Sequence, residues 1–154
     1  MEIADVETGI RRSIVISKAE NEDFKLLTKK RFSFSWRAIR TLATIYKLQI
    51  KGEGDILGVI GLIDWTREKR IEIKLLSSSV ENIGKGKRFN GIAGCLIAFA
   101  CRQAVTKYGT EACVSLVPKT ELIEHYMEKY HMQNAGWQLY LDGRNLIKLL
   151  KEYL

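Results

Sequence analysis

A short segment between an apolar run and a small-residue run carries the clearest chemical signal of this 154-residue sequence. It contains three cations, Lys85, Lys87 and Arg88, and continues into Gly91 and the start of a predicted helix. Small residues let a ligand approach the backbone, and the first turn of a helix has N–H groups without helical partners. Cations nearby add attraction for negative charge. The segment therefore predicts a pyrophosphate site, and a solvated basic turn is the alternative interpretation.

The elements on either side are predicted to be a strand, a helix and a second strand. Residues 71–76 form an apolar run, residues 91–108 have helical character, and residues 112–117 form another apolar run that Pro118 closes. Two strands joined through a helix are expected to lie parallel, with the helix crossing over the sheet.

The residues before this unit predict an antiparallel meander. Residues 44–51 and 56–65 have strand character, and the glycine-rich turn between them predicts a hairpin into which the strand at residue 71 follows. Gly58 and Gly61 indicate a bulge or a close approach of another chain segment. The predicted fold class is therefore α/β with a mixed, mainly antiparallel sheet, and the length fits a single domain over residues 1–154.

The two ends of the chain add further predicted elements. Residues 10–18 form a first strand, and Asn21 is predicted to cap a helix that turns Phe24 and Leu27 inward. The aromatic cluster of Phe32, Phe34 and Trp36 either closes the core or lines a substrate channel. A helix over residues 119–130, a strand over residues 136–141 and a terminal helix complete the chain, with its apolar positions at helical spacing.

Composition and charge limit the classes of function. The chain is 46% hydrophobic and 28% charged, without an apolar run long enough to cross a membrane and without a signal sequence, so a cytoplasmic protein is expected. The net charge of +7 is compatible with an anionic partner, either a nucleotide cofactor or nucleic acid, and with neither, so charge alone does not decide; no nucleic-acid motif is present. The three cysteines and two histidines have no metal-binding spacing, and the thiols are expected to be buried and reduced.

The hexapeptide that begins at Arg88 resembles a known signature. Arg88-x-x-Gly91-x-Ala93 is similar to the Q/R-x-x-G-x-G/A motif with which the GNAT superfamily of N-acetyltransferases grips coenzyme A, and the resemblance covers about residues 57–132. It implies a GNAT-like fold and acetyl-CoA as the acyl donor. The cofactor-binding residues that it implies are Ser77, Ser78, Ser79, Lys87, Arg88, Phe89, Asn90, Gly91, Ile92, Ala93 and Gly94.

The resemblance also implies positions for the reacting groups. The strand end at Ser77 to Ser79 would pair with the pantetheine arm and point an N–H at the thioester oxygen, where this strand and the next one splay apart. Glu72 is the candidate general base, because members of the superfamily often place a basic carboxylate on this strand. A solvated glutamate paired with Lys74 or Arg70 is the alternative.

Tyr126 is the candidate acid that would protonate the departing thiolate. The family pattern N-x-x-A-x-x-x-Y-x-x-x-G-F fits here only with one extra residue, because Lys119 stands at the position of the asparagine and Tyr130 at that of the glycine. A one-residue slip turns a helical side chain by about 100°. Tyr126 and Tyr130 therefore both stay candidates, and two core tyrosines are the alternative.

The resemblance implies transfer of an acetyl group from acetyl-CoA to a primary amine by direct attack. The acceptor stays open among small amines, peptide termini, lysine side chains and amines carried by tRNA. Because the usual asparagine and glycine of the second motif are missing, a non-catalytic acyl-CoA-binding or interaction module is the alternative. A basic nucleic-acid-binding protein is a weaker one, and both a monomer and a dimer stay open.

Overall fold

The computed structural model describes all of residues 1–154, and the chain divides into two compact units. The first unit comprises Met1–Gly61 and Leu75–Leu96, and the second comprises Leu62–Lys74 and Ile97–Leu154. The division falls inside two strands and one helix, each of which gives residues to both units.

Nine strands and five α-helices make up the structure. The strands are β1 (Glu2–Asp5), β2 (Arg11–Lys18), β3 (Thr44–Ile50), β4 (Ile56–Trp65), β5 (Arg70–Ser78), β6 (Phe89–Asn90), β7 (Cys113–Leu116), β8 (Gln133–Asn134) and β9 (Leu139–Asp142). The helices are α1 (Lys29–Phe32), α2 (Trp36–Ile39), α3 (Ile92–Tyr108), α4 (Ile123–Tyr130) and α5 (Gly143–Tyr153). None of the helices combines the length and the hydropathy that a membrane span requires.

In the first unit the strand order is β6-β1-β2-β3-β4-β5. The strands β1 and β2 pair antiparallel, as do β2 and β3, so the strands predicted at residues 10–18 and 44–51 are confirmed. The strand β1 was not predicted. It pairs antiparallel with the two-residue strand β6 on its other side, and this pairing joins the N-terminal segment to the chain that enters α3.

Gly58 is the point at which the start of α3 meets strand β4. A Cβ atom added at this glycine would lie 2.6 Å from Cγ2 of Ile92 and 3.1 Å from Cδ1 of Leu96. Real Cβ atoms do not come so close to a neighbour, because repulsion rises steeply below van der Waals contact. The predicted close approach is therefore confirmed at Gly58, and the glycine sets how near the helix start lies to the sheet.

In the second unit the strand order is β4-β5-β7-β9-β8. The strands β5 and β7 pair parallel, from Arg70 opposite Cys113 to Ile73 opposite Leu116. Antiparallel pairing of β7 with β9, and of β9 with β8, completes this side of the sheet. The predicted strand–helix–strand crossover is thus confirmed. The last strand begins three residues later than predicted, and Trp137, outside it, is 71% exposed.

The structure decides the positions of several side chains near the N-terminus for which the sequence analysis left alternatives. Phe32 and Trp36 are fully buried, and the Trp36 indole donates a hydrogen bond to the Phe32 carbonyl, so both belong to the core. The predicted helix after residue 20 is a short 3₁₀ turn, Asn21–Lys25. The capping prediction for Asn21 is wrong, because Glu20 precedes the turn and donates its N–H to the Asp23 carboxylate at 2.8 Å.

The cysteines differ from one another in exposure. Cys95 and Cys101 are buried in α3, whereas Cys113 in β7 is partly exposed, which corrects the expectation that all three are buried. Burial raises the pKa of the Cys95 thiol to about 11 and that of Cys101 to about 12. Both therefore stay protonated at neutral pH, and a protonated thiol is a poor nucleophile.

Candidate cofactor loop and catalytic side chains

Buried hydrogen bonds fix both ends of the loop that joins β5 to α3. The backbone N–H of Ser79 donates to the Leu57 carbonyl at 2.9 Å, and Ser79 itself is fully buried. The Asn82 amide donates to the Ser79 hydroxyl at 2.8 Å and accepts from the Phe89 N–H at 3.0 Å. Asn82 is only 6% exposed, so its amide spans the base of the loop and holds the two ends together.

The N-terminal segment forms a second anchor for this loop. Asn90 lies opposite Ala4 and Phe89 opposite Asp5 in the β1–β6 pair. The Val6 N–H also donates to the Arg88 carbonyl at 2.8 Å. The backbone just before α3 is therefore held on one side by β1, and its direction into the helix is set before any ligand binds.

Gly91 makes the turn from β6 into α3. Its φ of +102° lies in the region that glycine adopts without strain and other residues rarely occupy. The first helical hydrogen bond runs from the Cys95 N–H to the Gly91 carbonyl at 2.9 Å. The N–H groups of Ile92, Ala93 and Gly94 therefore have no acceptor within the helix, which is the donor set that the sequence predicts for a pyrophosphate.

The three cations of the loop are available to a ligand. Lys85 and Arg88 are exposed and Lys87 is half-buried. None of them forms an ion pair with a carboxylate. The Arg88 guanidinium lies 5.0 Å from the ring centre of Phe89, which is its only close aromatic contact. The nearest acidic influence on Arg88 is the Asp5 carboxylate, whose pKa it helps to lower, so this part of the chain offers positive charge that no direct ion pair neutralises.

The three serines at the end of β5 differ in which of their hydrogen-bonding groups are already used within the protein. The Ser77 hydroxyl donates to the Ser78 carbonyl at 2.9 Å, and the Ser79 hydroxyl and N–H are both used inside the loop. Neighbouring residues of a strand point their N–H groups to opposite edges. Because the Ser79 N–H points to β4, the Ser78 N–H points to the opposite edge of β5. A ligand at that edge could accept a hydrogen bond from the Ser78 N–H.

The strand β5 is longer than the strand that pairs with it. Its parallel pairing with β7 reaches Ile73 opposite Leu116, and β7 ends there, ahead of Pro118. Strand β5 continues to Ser78. The last residues of β5 consequently have no residue of β7 left to pair with, as the predicted separation of the two strands requires.

Glu72 lies in the second unit, in a cluster around β5 and β7. Its Oε1 accepts a hydrogen bond from the Trp65 indole at 2.9 Å and lies 3.9 Å from Nη1 of Arg70. The second carboxylate oxygen, Oε2, has no protein partner. The side chain is 18% exposed, so one oxygen is held in place and the other can receive a proton.

Arg70 is the central residue of this cluster, and apart from Glu72 no member of the cluster is marked as catalytic by the sequence pattern. Its guanidinium donates to the Ser115 hydroxyl at 2.7 Å and to Glu68 at 2.8 Å, and it lies 5.5 Å from the ring centre of Trp65. Ser115 is fully buried opposite Glu72 in the strand pair. Because Arg70 has these other partners, the cluster does not depend on the Glu72 charge to stay together.

The two candidate acids on α4 differ in accessibility. Tyr130 is 3% exposed, whereas Tyr126 is half-buried, and their rings lie 5.7 Å apart. Burial raises the pKa of the Tyr126 phenol above its usual value, so this hydroxyl keeps its proton throughout the neutral range. A ligand could reach Tyr126 more readily than Tyr130.

The end of α4 shows where the extra residue of the family pattern lies. His131 ends the helix with a φ of +61°, the left-handed conformation that the pattern's glycine would supply. It stands five residues after Tyr126 and four after Met127. If His131 occupies the place of the glycine in the predicted pattern, the tyrosine position of that pattern falls on Met127, one residue after Tyr126. The His131 ring lies against Glu152, and no cluster of three metal-ligating side chains is present.

Comparison with solved structures identifies the fold. A chimeric spermidine N-acetyltransferase, SpeG of Vibrio cholerae with hSSAT, superimposes with a TM-score of 0.66 at 12% identity, covering 88% of this chain and 99% of that one. A Bacillus subtilis acetyltransferase in complex with CoA gives 0.55 at 18% identity, covering 86% and 99%. A GNAT family acetyltransferase from Brucella melitensis in complex with acetyl-CoA gives 0.58 at 16% identity, covering 85% and 88%.

Sequence comparison gives no such match. No protein-family profile fits the sequence, and a search of curated proteins found no relative. With identities below 20% in the three structures above, the likeness is one of fold.

Proposed function

Since this chain has the GNAT acyltransferase fold, we propose that it is an N-acetyltransferase that moves the acetyl group of acetyl-CoA to a primary amine. The observation that carries the proposal is the start of α3. Three N–H groups without helical acceptors follow a glycine with positive φ, and three unpaired cations precede it. This combination matches the charge and the oxygen atoms of a pyrophosphate.

Bound acetyl-CoA supplies an activated acetyl thioester. The chain's own residues would then manage the protons of the transfer. Glu72 would take a proton from the acceptor amine at Oε2, while Trp65 holds Oε1. Tyr126 would donate the proton of its hydroxyl to the sulfur as the thiolate departs. The cofactor loop lies in the first unit and these two side chains lie in the second, so each assignment needs its own test.

A second candidate function follows from the end of α4. Because His131 sets the spacing, Met127 stands where the family pattern has its tyrosine. A protein that binds acyl-CoA without transferring the acyl group would tolerate this change. It would share the cofactor loop and would lack turnover.

Two measurements separate these functions. Isothermal titration with acetyl-CoA tests the cofactor assignment, and both candidates require binding. An assay of CoA release with a panel of primary amines, including polyamines, peptides and aminoacyl esters, tests transfer. Binding without release on any amine would favour the non-catalytic module, and the absence of binding would contradict both.

The charge of the loop gives the first prediction. If Lys85, Lys87 and Arg88 contact phosphates, the affinity for coenzyme A should exceed that for dephosphorylated pantetheine and fall as salt is raised from about 0.05 to 0.5 M, because ions screen exposed charges. Titrations at three salt concentrations measure this. Pantetheine is the control, because its binding should change little with salt. An affinity for coenzyme A that does not respond to salt would mean that the three cations are only solvated.

The cysteines give the second prediction. It also shows how much the protein's own thiols would contribute to the signal in the assay of CoA release. With pKa values of about 11 and 12, Cys95 and Cys101 carry a thiolate fraction of about 10⁻³ or less at pH 8. Ellman's reagent should therefore label at most the partly exposed Cys113 in the native protein, and all three thiols after denaturation. The Cys113→Ser substitution should remove the remaining reaction of the native protein with Ellman's reagent. Rapid labelling of two thiols in native Cys113→Ser protein would contradict the described burial.

A further inference from the structure

A groove on the second unit lies away from the residues assigned above. It runs between the end of α3, the turn that follows it, and helix α5, and its volume is about 790 Å³. Its apolar floor consists of Val105, Ala112 and Leu146, and Ile147 forms part of its wall. A cavity of this size exceeds the small voids left by ordinary packing.

One face of α5 lines this groove. Arg144, Ile147, Lys148 and Lys151 stand at relative positions 0, 3, 4 and 7, which places them on one stripe of a helix. Leu149 and Leu150 of the same helix are buried in the core, and Leu146 is also buried and borders the groove from the inner side of the helix. Folding therefore uses the inner face of α5 and leaves this outer stripe without an intramolecular function.

The outer stripe combines exposed apolar surface with unneutralised charge. The Ile147 side chain is 43% exposed. Arg144, Lys148 and Lys151 are exposed and form no ion pair, and the acidic residue of α5, Glu152, is engaged with His131. An apolar patch with a rim of one charge is typical of an interaction surface.

We propose that this groove docks an acidic amphipathic helix of a protein partner. Aliphatic side chains of such a helix would enter the groove over Val105 and Leu146, and Asp or Glu residues beside them would face Arg144, Lys148 and Lys151. Binding of an amphipathic helix in an apolar groove is a common mode of recognition, with anchors at helical spacing. The inference does not depend on the proposed acetyl transfer.

Charge argues for a different protein as the partner and against a second copy of this chain. A symmetric dimer through this face would bring the same patch of each copy together, so that three cations would meet three cations. The chain as a whole carries a net charge of +7. Like charges facing each other oppose association, whereas an acidic helix gains electrostatic attraction.

The test uses a designed peptide as the probe. A fluorescein-labelled helix of about 15 residues, with Leu at helical spacing on one face and Glu on the flanks, is titrated with the full chain at 150 mM salt and followed by anisotropy. The matched probe is a peptide of the same composition with the order scrambled, so that its charge is kept and its apolar face is lost. We expect saturable binding of the first peptide and at least about tenfold weaker binding of the second.

Two variants of the groove and one control variant test whether the peptide binds in the groove. Lys148→Glu combined with Lys151→Glu should weaken binding of the amphipathic peptide by about tenfold or more. Lys18→Glu combined with Lys51→Glu makes the same change of charge at exposed positions of the first unit and should have a much smaller effect. Ile147→Ser removes an exposed apolar side chain without changing charge and should also weaken binding.

Three results would overturn the proposal. One is the absence of saturable binding, and another is equal binding of the scrambled peptide, which would mean attraction by charge alone. The third is a dimer in sedimentation velocity that Ile147→Ser dissociates, because that result would make a second copy the occupant of the groove.

Discussion

Replacing Gly91 with valine is expected to weaken acetyl-CoA binding by about 10- to 100-fold while leaving the protein folded. The reason is the φ of +102°, which costs a non-glycine residue roughly 1–3 kcal/mol. Crowding by the protein's own atoms is not the reason, because a Cβ atom at this position would come no closer than 3.8 Å to Glu2 or Ile3. The backbone of the variant would relax, and binding would have to restore the strained turn that presents the N–H groups of α3.

A matched variant separates this effect from a general loss of stability. Gly52 has a φ of +83° in the β3–β4 hairpin, and an added Cβ there would meet no atom within 4 Å, so neither glycine is in a crowded place. Gly52→Val should thus lower the melting temperature by a similar amount while calorimetry shows unchanged affinity for acetyl-CoA. Equal affinities of Gly91→Val and the parent would refute the assignment of the cofactor to this loop.

Replacing Glu72 with glutamine is expected to lower turnover by about 10²-fold or more with little change in acetyl-CoA affinity. Glutamine keeps an oxygen that can accept from the Trp65 indole, and Arg70 keeps Ser115 and Glu68 as partners. The cluster should therefore stay in place while the proton acceptor is lost. Steady-state rates on an amine that the panel has identified measure the effect, and the limb of the rate profile that rises with pH should move as well.

Trp65→Phe provides the comparison for this variant. It removes the donor that holds Oε1 and leaves the carboxylate present, so its turnover should fall less than that of Glu72→Gln. If Glu72→Gln retains full turnover on a verified acceptor, the carboxylate serves to hold Trp65 and Arg70. The proton would then pass to water or to another residue.

The sequence was sufficient to predict the elements whose pattern depends on neighbouring residues. The strand β4 has its predicted bounds, because apolar residues and two glycines fill it from Ile56 to Ile63, and only Asp64 stands between them and Trp65. The start of α3 and the close approach at Gly58 are also where small residues predict them. These features depend on neighbours in sequence or on the size of one residue, and both can be read from the chain.

Features that depend on distant partners could not be read in this way. The short strands β1 and β6 contain too few residues to show alternation, and β6 pairs only with β1, whereas β1 also pairs with β2. Ser79 and Asn82 belong to a polar loop, where such residues are usually solvated, yet both are buried. The left-handed residue at the end of α4 is a histidine, so the position of the one-residue slip carried no glycine to mark it.

The pairing of β1 with β6 has a consequence for the order of events in folding. Asp5 and Phe89 are neighbours in the sheet although 84 positions separate them along the chain. Closing so long a segment has a large entropic cost, and contacts of this kind generally form late. On a ribosome the first strand can pair with β2 early, but almost 90 residues must emerge before β6 exists. The proposed phosphate site at the start of α3 is therefore expected to be among the last parts of the structure that the folding chain completes.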